Sequence, residues 1–201
     1  MSKRHVRKML QQMASGGPVE VTSTMASMKK LARLASTAQQ FGYDYADVRQ
    51  GGGPQGNGLV MLIVPDPDPQ ARARAAQNWE RYPNAGDGVS LPPLEPEAVE
   101  LLQARIKFDL ASRLTPKQAA VLAASVWTVL AATIGYKVSA HPTGLLAVGA
   151  AWAVLMALIP VGTAVNRRYR ARQAALLQAA GFTPVTDPRG RLRYVPPTRN
   201  A

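Results

Sequence analysis

Two stretches of this chain contain no charged residue: 118–136 (QAAVLAASVWTVLAATIGY) and 143–165 (TGLLAVGAAWAVLMALIPVGTAV). At about 1.5 Å of rise per residue, each helix reaches the roughly 30 Å of a bilayer's hydrocarbon core, the first only just. Lipid offers no partner to a free backbone amide, so a span of this kind must be helical. A short loop, residues 137–142 (KVSAHP), joins them and makes them antiparallel neighbours. The expected core of the fold is a membrane α-helical hairpin over 117–165. The competing reading is a buried hairpin in a soluble protein. Ser125, Thr128 and Thr133 lend it weight, but the second segment is too long and too evenly apolar for it.

Charge sets the expected orientation. Arg113 and Lys117 precede the first segment, Arg167, Arg168, Arg170 and Arg172 follow the second, and the loop holds only Lys137. Lys and Arg gather on the cytoplasmic side of membrane spans. Both termini are therefore expected in the cytoplasm, with the protein in the cell membrane. Tyr136 and Tyr169 stand where interfacial aromatics belong. Thr115-Pro116 supplies a capping hydroxyl and then Pro at the first helical position. The net charge of +12 is uneven: residues 117–201 hold 10 Lys/Arg against one acid, residues 1–116 hold 14 against 11. Such an excess points to an anionic neighbour, lipid headgroups or nucleic acid.

Small residues recur at four-residue spacing inside the hairpin. They are Ala120, Ala124, Thr128 and Ala132 in the first segment, and Gly149, Ala153 and Ala157 in the second. Such stripes allow close backbone approach. Trp127 and Trp152 fall at similar depth and are expected to pack on each other or on another subunit. Helix–helix packing is thus assigned to Ala120, Ala124, Trp127, Gly149, Trp152 and Ala153. Pro160 should kink the second helix or loosen its inner end. No ionisable residue lies within either segment, which argues against a pump or a transporter.

The remaining sequence reads as a small cytoplasmic α/β (α-β-β-α) unit with attachments. Residues 1–18 form a basic amphipathic helix and linker, with Val6, Met9, Leu10 and Met13 on one side and Lys3, Arg4, Arg7 and Lys8 on the other. Within 19–82, a helix over 24–40 (Met25, Met28, Leu31, Leu34 and Ala38 on one side) precedes strands at 43–49 and 59–64. The glycine-rich stretch 51–58 joins the strands through an Asn57-Gly58 turn. It lacks the Lys and Ser/Thr of a phosphate-binding loop. Asp68-Pro69 opens a helix to Tyr82. Residues 83–96 read as a Pro/Gly-rich linker and 97–116 as a juxtamembrane amphipathic helix. Residues 166–201 form a basic helix, stopped at Gly181, and a β-hairpin over 182–195. The strand 59–64 is apolar on both faces and needs a cover. The expectation is that the C-terminal hairpin pairs with or packs on the N-terminal unit.

The chain has no Cys and two His, His5 and His141, which removes disulfides, thiolate catalysis and Cys-based zinc sites. The N-terminus is basic, but no apolar run of signal-peptide length follows it, so no cleaved signal is expected. No cofactor, metal or small-molecule substrate is inferred, and no motif carries a family resemblance. The expected function is that of a non-enzymatic two-pass membrane anchor or scaffold, with the bilayer and a second copy or another protein as partners. A membrane-bound accessory in DNA handling, such as plasmid transfer, is the first alternative, and an oligomeric pore-forming effector the second. The residues expected to meet anionic lipid or nucleic acid are Lys3, Arg4, Arg7, Lys8, Arg167, Arg168, Arg170 and Arg172.

Overall fold

The computed structural model describes residues 3–23, 27–51, 56, 58–139, 141–188 and 190–197. The chain divides into two compact units: residues 1–110 with 173–201, and residues 111–172.

The first unit is built on a three-stranded antiparallel sheet, β1 (Val19–Ser23), β2 (Tyr43–Gln50) and β3 (Leu59–Pro65), in the order β1-β3-β2. Its helices are α1 (Lys3–Met13), α2 (Met28–Gln40), α3 (Pro69–Arg81), a 3-10 helix (Pro83–Asp87) and α4 (Pro96–Ala111). The all-aliphatic β3 takes the centre, where a strand is paired on both sides. β1 is the strand that sequence periodicity did not single out. Its alternation is legible only once β3 stands beside it: Val19, Val21 and Ser23 point inward, Glu20 and Thr22 outward. The order of the unit from residue 19 is therefore β-α-β-β-α.

α2 starts at Met28, not at residue 24, because Ser27 caps it by accepting the Lys30 backbone N–H. Met25 lies outside the described residues. The β2–β3 hairpin closes at Gly51 N–H to Gly58 O, 2.9 Å, with Gln50 opposite Leu59. Its connection is the stretch 51–58 expected from sequence; the Asn57-Gly58 turn expected at its end falls on Asn57, which lies outside the described residues.

α1 departs from the reading as a separate amphipathic segment. Val6, Met9 and Leu10 are each 1% exposed and belong to the main core with Leu31, Leu34, Tyr45, Met61 and Ile106. Tyr43 donates its hydroxyl to the Met13 carbonyl at 2.7 Å, which satisfies one of the free carbonyls at the end of α1. Burial raises the Tyr43 pKa, so the hydroxyl stays a donor. Gly88 follows the 3-10 helix at φ +69°, and a Cβ there would stand 2.9 Å from the Lys3 carbonyl. Ala85 is fully buried, with Leu91 and Leu94 packed on the same core, so the Pro/Gly-rich stretch is folded onto the unit.

α4 also turns its apolar side inward: Val99, Leu102 and Ile106 join the main core. Its other side contributes Ala104 and Phe108 to a second cluster with Leu177 and Tyr194. Tyr194 belongs to the C-terminal hairpin of β4 (Thr183–Thr186) and β5 (Leu192–Val195), a sheet of its own. The hairpin therefore packs on the N-terminal unit and does not extend its sheet.

The second unit holds α5 (Pro116–Lys137) and most of α6 (Pro142–Ala179), and both helices are long and apolar enough to cross a membrane. Thr115 caps α5 in a complete capping box with Gln118. α6 runs unbroken through Pro160 to Ala179 and stops before Gly181, which is left-handed at φ +83°.

Because Leu10 is buried in the main core, Leu10→Ala should destabilise the first unit by about 2–5 kcal/mol. The measurement is urea titration of the detergent-solubilised protein, followed by fluorescence of Trp79, the Trp that packs at a tilt against Phe41. A change indistinguishable from zero would mean that α1 does not belong to the core.

Candidate functional site

Three places in the molecule carry charge or apolar surface that packing alone does not require. The first is the junction between the two arms of the first unit. In β2 the register slips between Tyr45 and Asp47, so Ala46 is an extra residue in the strand. Such a bulge disrupts the ladder locally and turns backbone groups away from it. The Ala46 carbonyl accepts from the Arg193 guanidinium of β5. The same guanidinium group donates to Asp109 Oδ2 of α4 at 3.0 Å, and Tyr45 donates its hydroxyl to that oxygen at 2.8 Å. Arg105 lies over the Tyr45 ring, 4.9 Å from its centroid, and pairs with Asp44 at 3.4 Å. Arg191 closes the hairpin turn on Asp187 at 2.8 Å and reaches Asp47 at 3.7 Å.

Asp109 is 5% exposed, so its charge depends on these partners. Burial, then the charge of Asp109 and the hydrogen bond to it, push the Tyr45 pKa well above its usual value. Burial works against the Arg193 charge, but the Asp109 carboxylate outweighs it and raises the Arg193 pKa. Tyr45 therefore stays a donor phenol and Arg193 a guanidinium. Chemically the cluster is a lock. Its geometry is that of structural pairing, although Asp109 Oδ1 and Arg105 Nε are buried without a hydrogen-bond partner.

The second place is the hairpin of α5 and α6. Trp152 donates its indole N–H to Thr128 at 3.2 Å. A Cβ on Gly144 would stand 3.3 Å from the Val138 Cβ, and one on Gly135 3.9 Å from Leu145. Ala120, Ala124 and Trp127 lie on the half-covered side of α5. Gly149 and Ala153 do not lie on the matching side of α6: both are exposed, and nothing stands within 4 Å of a Cβ placed on Gly149. Val148, Met156 and Ile159 are half-covered instead. The physical reason is the helical period. Residues 148, 152, 156 and 159 share one side, which brings Trp152 to Thr128 rather than to Trp127. The outward surface is mostly apolar, with Val121, Leu122, Val126, Val129, Leu146, Val154 and Leu158 all exposed beside the hydroxyls of Ser125, Thr128 and Thr133.

The third place is basic. Lys3, Arg4, Arg7 and Lys8 are exposed on α1, where the core holds the opposite side of the helix. Sequence spacing along α1 gave no hint of what stands beside them. Lys30 of α2 brings its ammonium to 3.1 Å from His5 Nε2, so the start of α2 lies against α1. Lys29 and Arg33 are exposed on the same helix. The His5 pKa is lowered, first by burial and then by the charges of Lys30 and Lys8. Arg167, Arg168, Arg170 and Arg172 lie in the other unit, on α6 beyond its apolar stretch. Among the described residues, no group of three or more His, Asp or Glu is placed to hold a metal ion.

No protein-family model, curated protein or solved structure matches this chain.

The lock makes a quantitative expectation. Arg193→Leu should cost the first unit about 3–5 kcal/mol, because it leaves Asp109 buried without its cation. Arg193→Leu combined with Asp109→Leu should recover part of that loss. A double-mutant cycle by urea titration measures it, and additive single losses would show that the two residues are not coupled.

Proposed function

We propose that this chain is a two-pass integral protein of the cell membrane, with both termini in the cytoplasm, that acts as a non-enzymatic anchor or scaffold for its α/β unit. One observation carries the reading: α5 has no buried residue, and large apolar side chains stand exposed along the uncharged parts of α5 and α6. A soluble helical hairpin hides its apolar side chains, and an exposed surface of this extent calls for lipid or protein around it. Absence of charge inside the spans agrees, since one Lys, Arg or Asp at mid-membrane would cost about 2.5–3.5 kcal/mol.

Orientation rests on the flanking bases. Arg113 and Lys117 stand before the apolar part of α5, four arginines follow the apolar part of α6, and Lys137 alone stands at the loop end. With the termini inside, residues 1–110 and 173–201 share a compartment, as the single unit they form requires. The scaffold reading draws support from the chemistry of that unit. Its buried charges lock its own two arms together, and the exposed charges of α1 are all basic.

The chain has no Cys, so single cysteines report topology without a background. In intact cells a membrane-impermeant maleimide should label Ser139→Cys and should reach Gln12→Cys and Arg172→Cys only after permeabilisation. The protein should also stay in the membrane pellet at alkaline pH. Labelling of Gln12→Cys in intact cells, or alkaline release, would refute the proposal.

A further inference from the structure

We infer that the basic face of α1 and the start of α2 is a docking surface for the phosphodiester backbone of nucleic acid. This names the cargo of the anchor proposed above and rests on that reading.

The chain has two separate groups of bases. The arginines at 167–172 lie beside an apolar stretch, where the preference of spans for cytoplasmic Lys and Arg accounts for them. That preference acts within about 15–20 residues of a span. Arg33, the last base of the other group, stands more than 80 residues before Pro116 in the sequence. Topology therefore does not explain this second group.

Folding concentrates it. Lys3 and Arg7, Arg4 and Lys8, and Lys29 and Arg33 are each four residues apart on a helix, so each pair shares a side. The His5–Lys30 contact of 3.1 Å sets the two helices against each other. Residues 1–33 contain one acid, Glu20, and it is paired with Arg49 at 3.0 Å; the 3-10 helix packed beside α1 adds one exposed acid, Asp87, against seven bases. Like charges gathered this way repel one another; after burial, the charges of Lys30 and Lys8 lower the His5 pKa. A polyanion relieves the repulsion.

The character of the face selects among polyanions. Membrane-surface helices hold by burying apolar side chains among the acyl chains, with bases flanking them. Here the apolar side of α1 is already buried in the core. What remains outward is charge on a rigid support, which suits a backbone of regularly spaced phosphates. No Phe, Tyr or Trp lies in α1 or α2, and His5 is half-buried against Lys30, so bases are not stacked and recognition is independent of sequence.

The test uses the full chain in nanodiscs of neutral lipid and a short fluorescent DNA duplex. Binding should weaken with salt between roughly 50 and 200 mM, with a log–log slope of about −4 to −6. Changing Lys3, Arg4, Arg7 and Lys8 to Gln should reduce that slope by about 3 to 4. Changing Arg167, Arg168, Arg170 and Arg172 to Gln should leave most of the binding in place. NMR of His5 gives a second readout that needs no variant: bound DNA should raise its pKa by screening Lys30 and Lys8. No binding in neutral discs would overturn the inference. So would loss of binding in the juxtamembrane variant alone, or a His5 shift that anionic lipid produces and DNA does not. Alkaline extraction reports separately on the anchor, so its failure is distinguishable from failure to bind DNA.

Discussion

Asp109 takes a negative charge into the interior of the first unit, and a buried carboxylate persists only when opposite charge and donors surround it. The partners come from distant parts of the chain: Tyr45 lies 64 residues before it and Arg193 84 residues after it. A chain that buries Asp109 must therefore bring β2, α4 and β5 together. The bulge at Ala46 offers a second acceptor to the same guanidinium. Hydrophobic packing fills in around this point, with Phe108 and Tyr194 edge-to-face at 4.9 Å and Leu177 fully buried beside them. Aliphatic contacts alone would permit sliding. The charge pairs fix one arrangement.

This arrangement carries the functional reading. The unit is made from residues on both sides of the two apolar helices, so its completion depends on both flanks lying in one compartment. An even number of spans meets that condition and an odd number does not. The anchor proposal and the fold of the unit thus support each other through connectivity, without any special site. The basic face on α1 and α2 belongs to the same economy: the core takes one side of each helix and leaves charge on the other.

Much of the molecule was legible from residue pattern. The two long apolar helices, the central strand at 59–64, the cap at Asp68 and the turn at 187–190 follow from periodicity, capping and turn chemistry. The C-terminal hairpin was anticipated as a neighbour of the N-terminal unit because an apolar strand needs cover. Strand β1 was missed: five residues with two valines carry little signal until β3 is beside them. Residues 83–96 read as a linker because Pro and Gly report turns, and turns are silent about what Ala85 touches. The lock was missed for a different reason. Arg105 and Asp109 sit four apart on α4 and resemble a solvated helix pair, and only the packing of both helix sides reveals that they are buried. Gly149 and Ala153 stand exposed because alanine and glycine occur on every side of these helices, so the small-residue stripe does not by itself pick the covered side.

The central claim is that chain on either side of the two apolar helices folds into one unit. Spin labels on Gln50→Cys in β2 and Thr186→Cys in β4, both exposed positions, test it by pulsed electron resonance in nanodiscs. The account predicts one narrow distance distribution, broadened when Arg193 is changed to Leu. A broad distribution in the otherwise unaltered chain would contradict it.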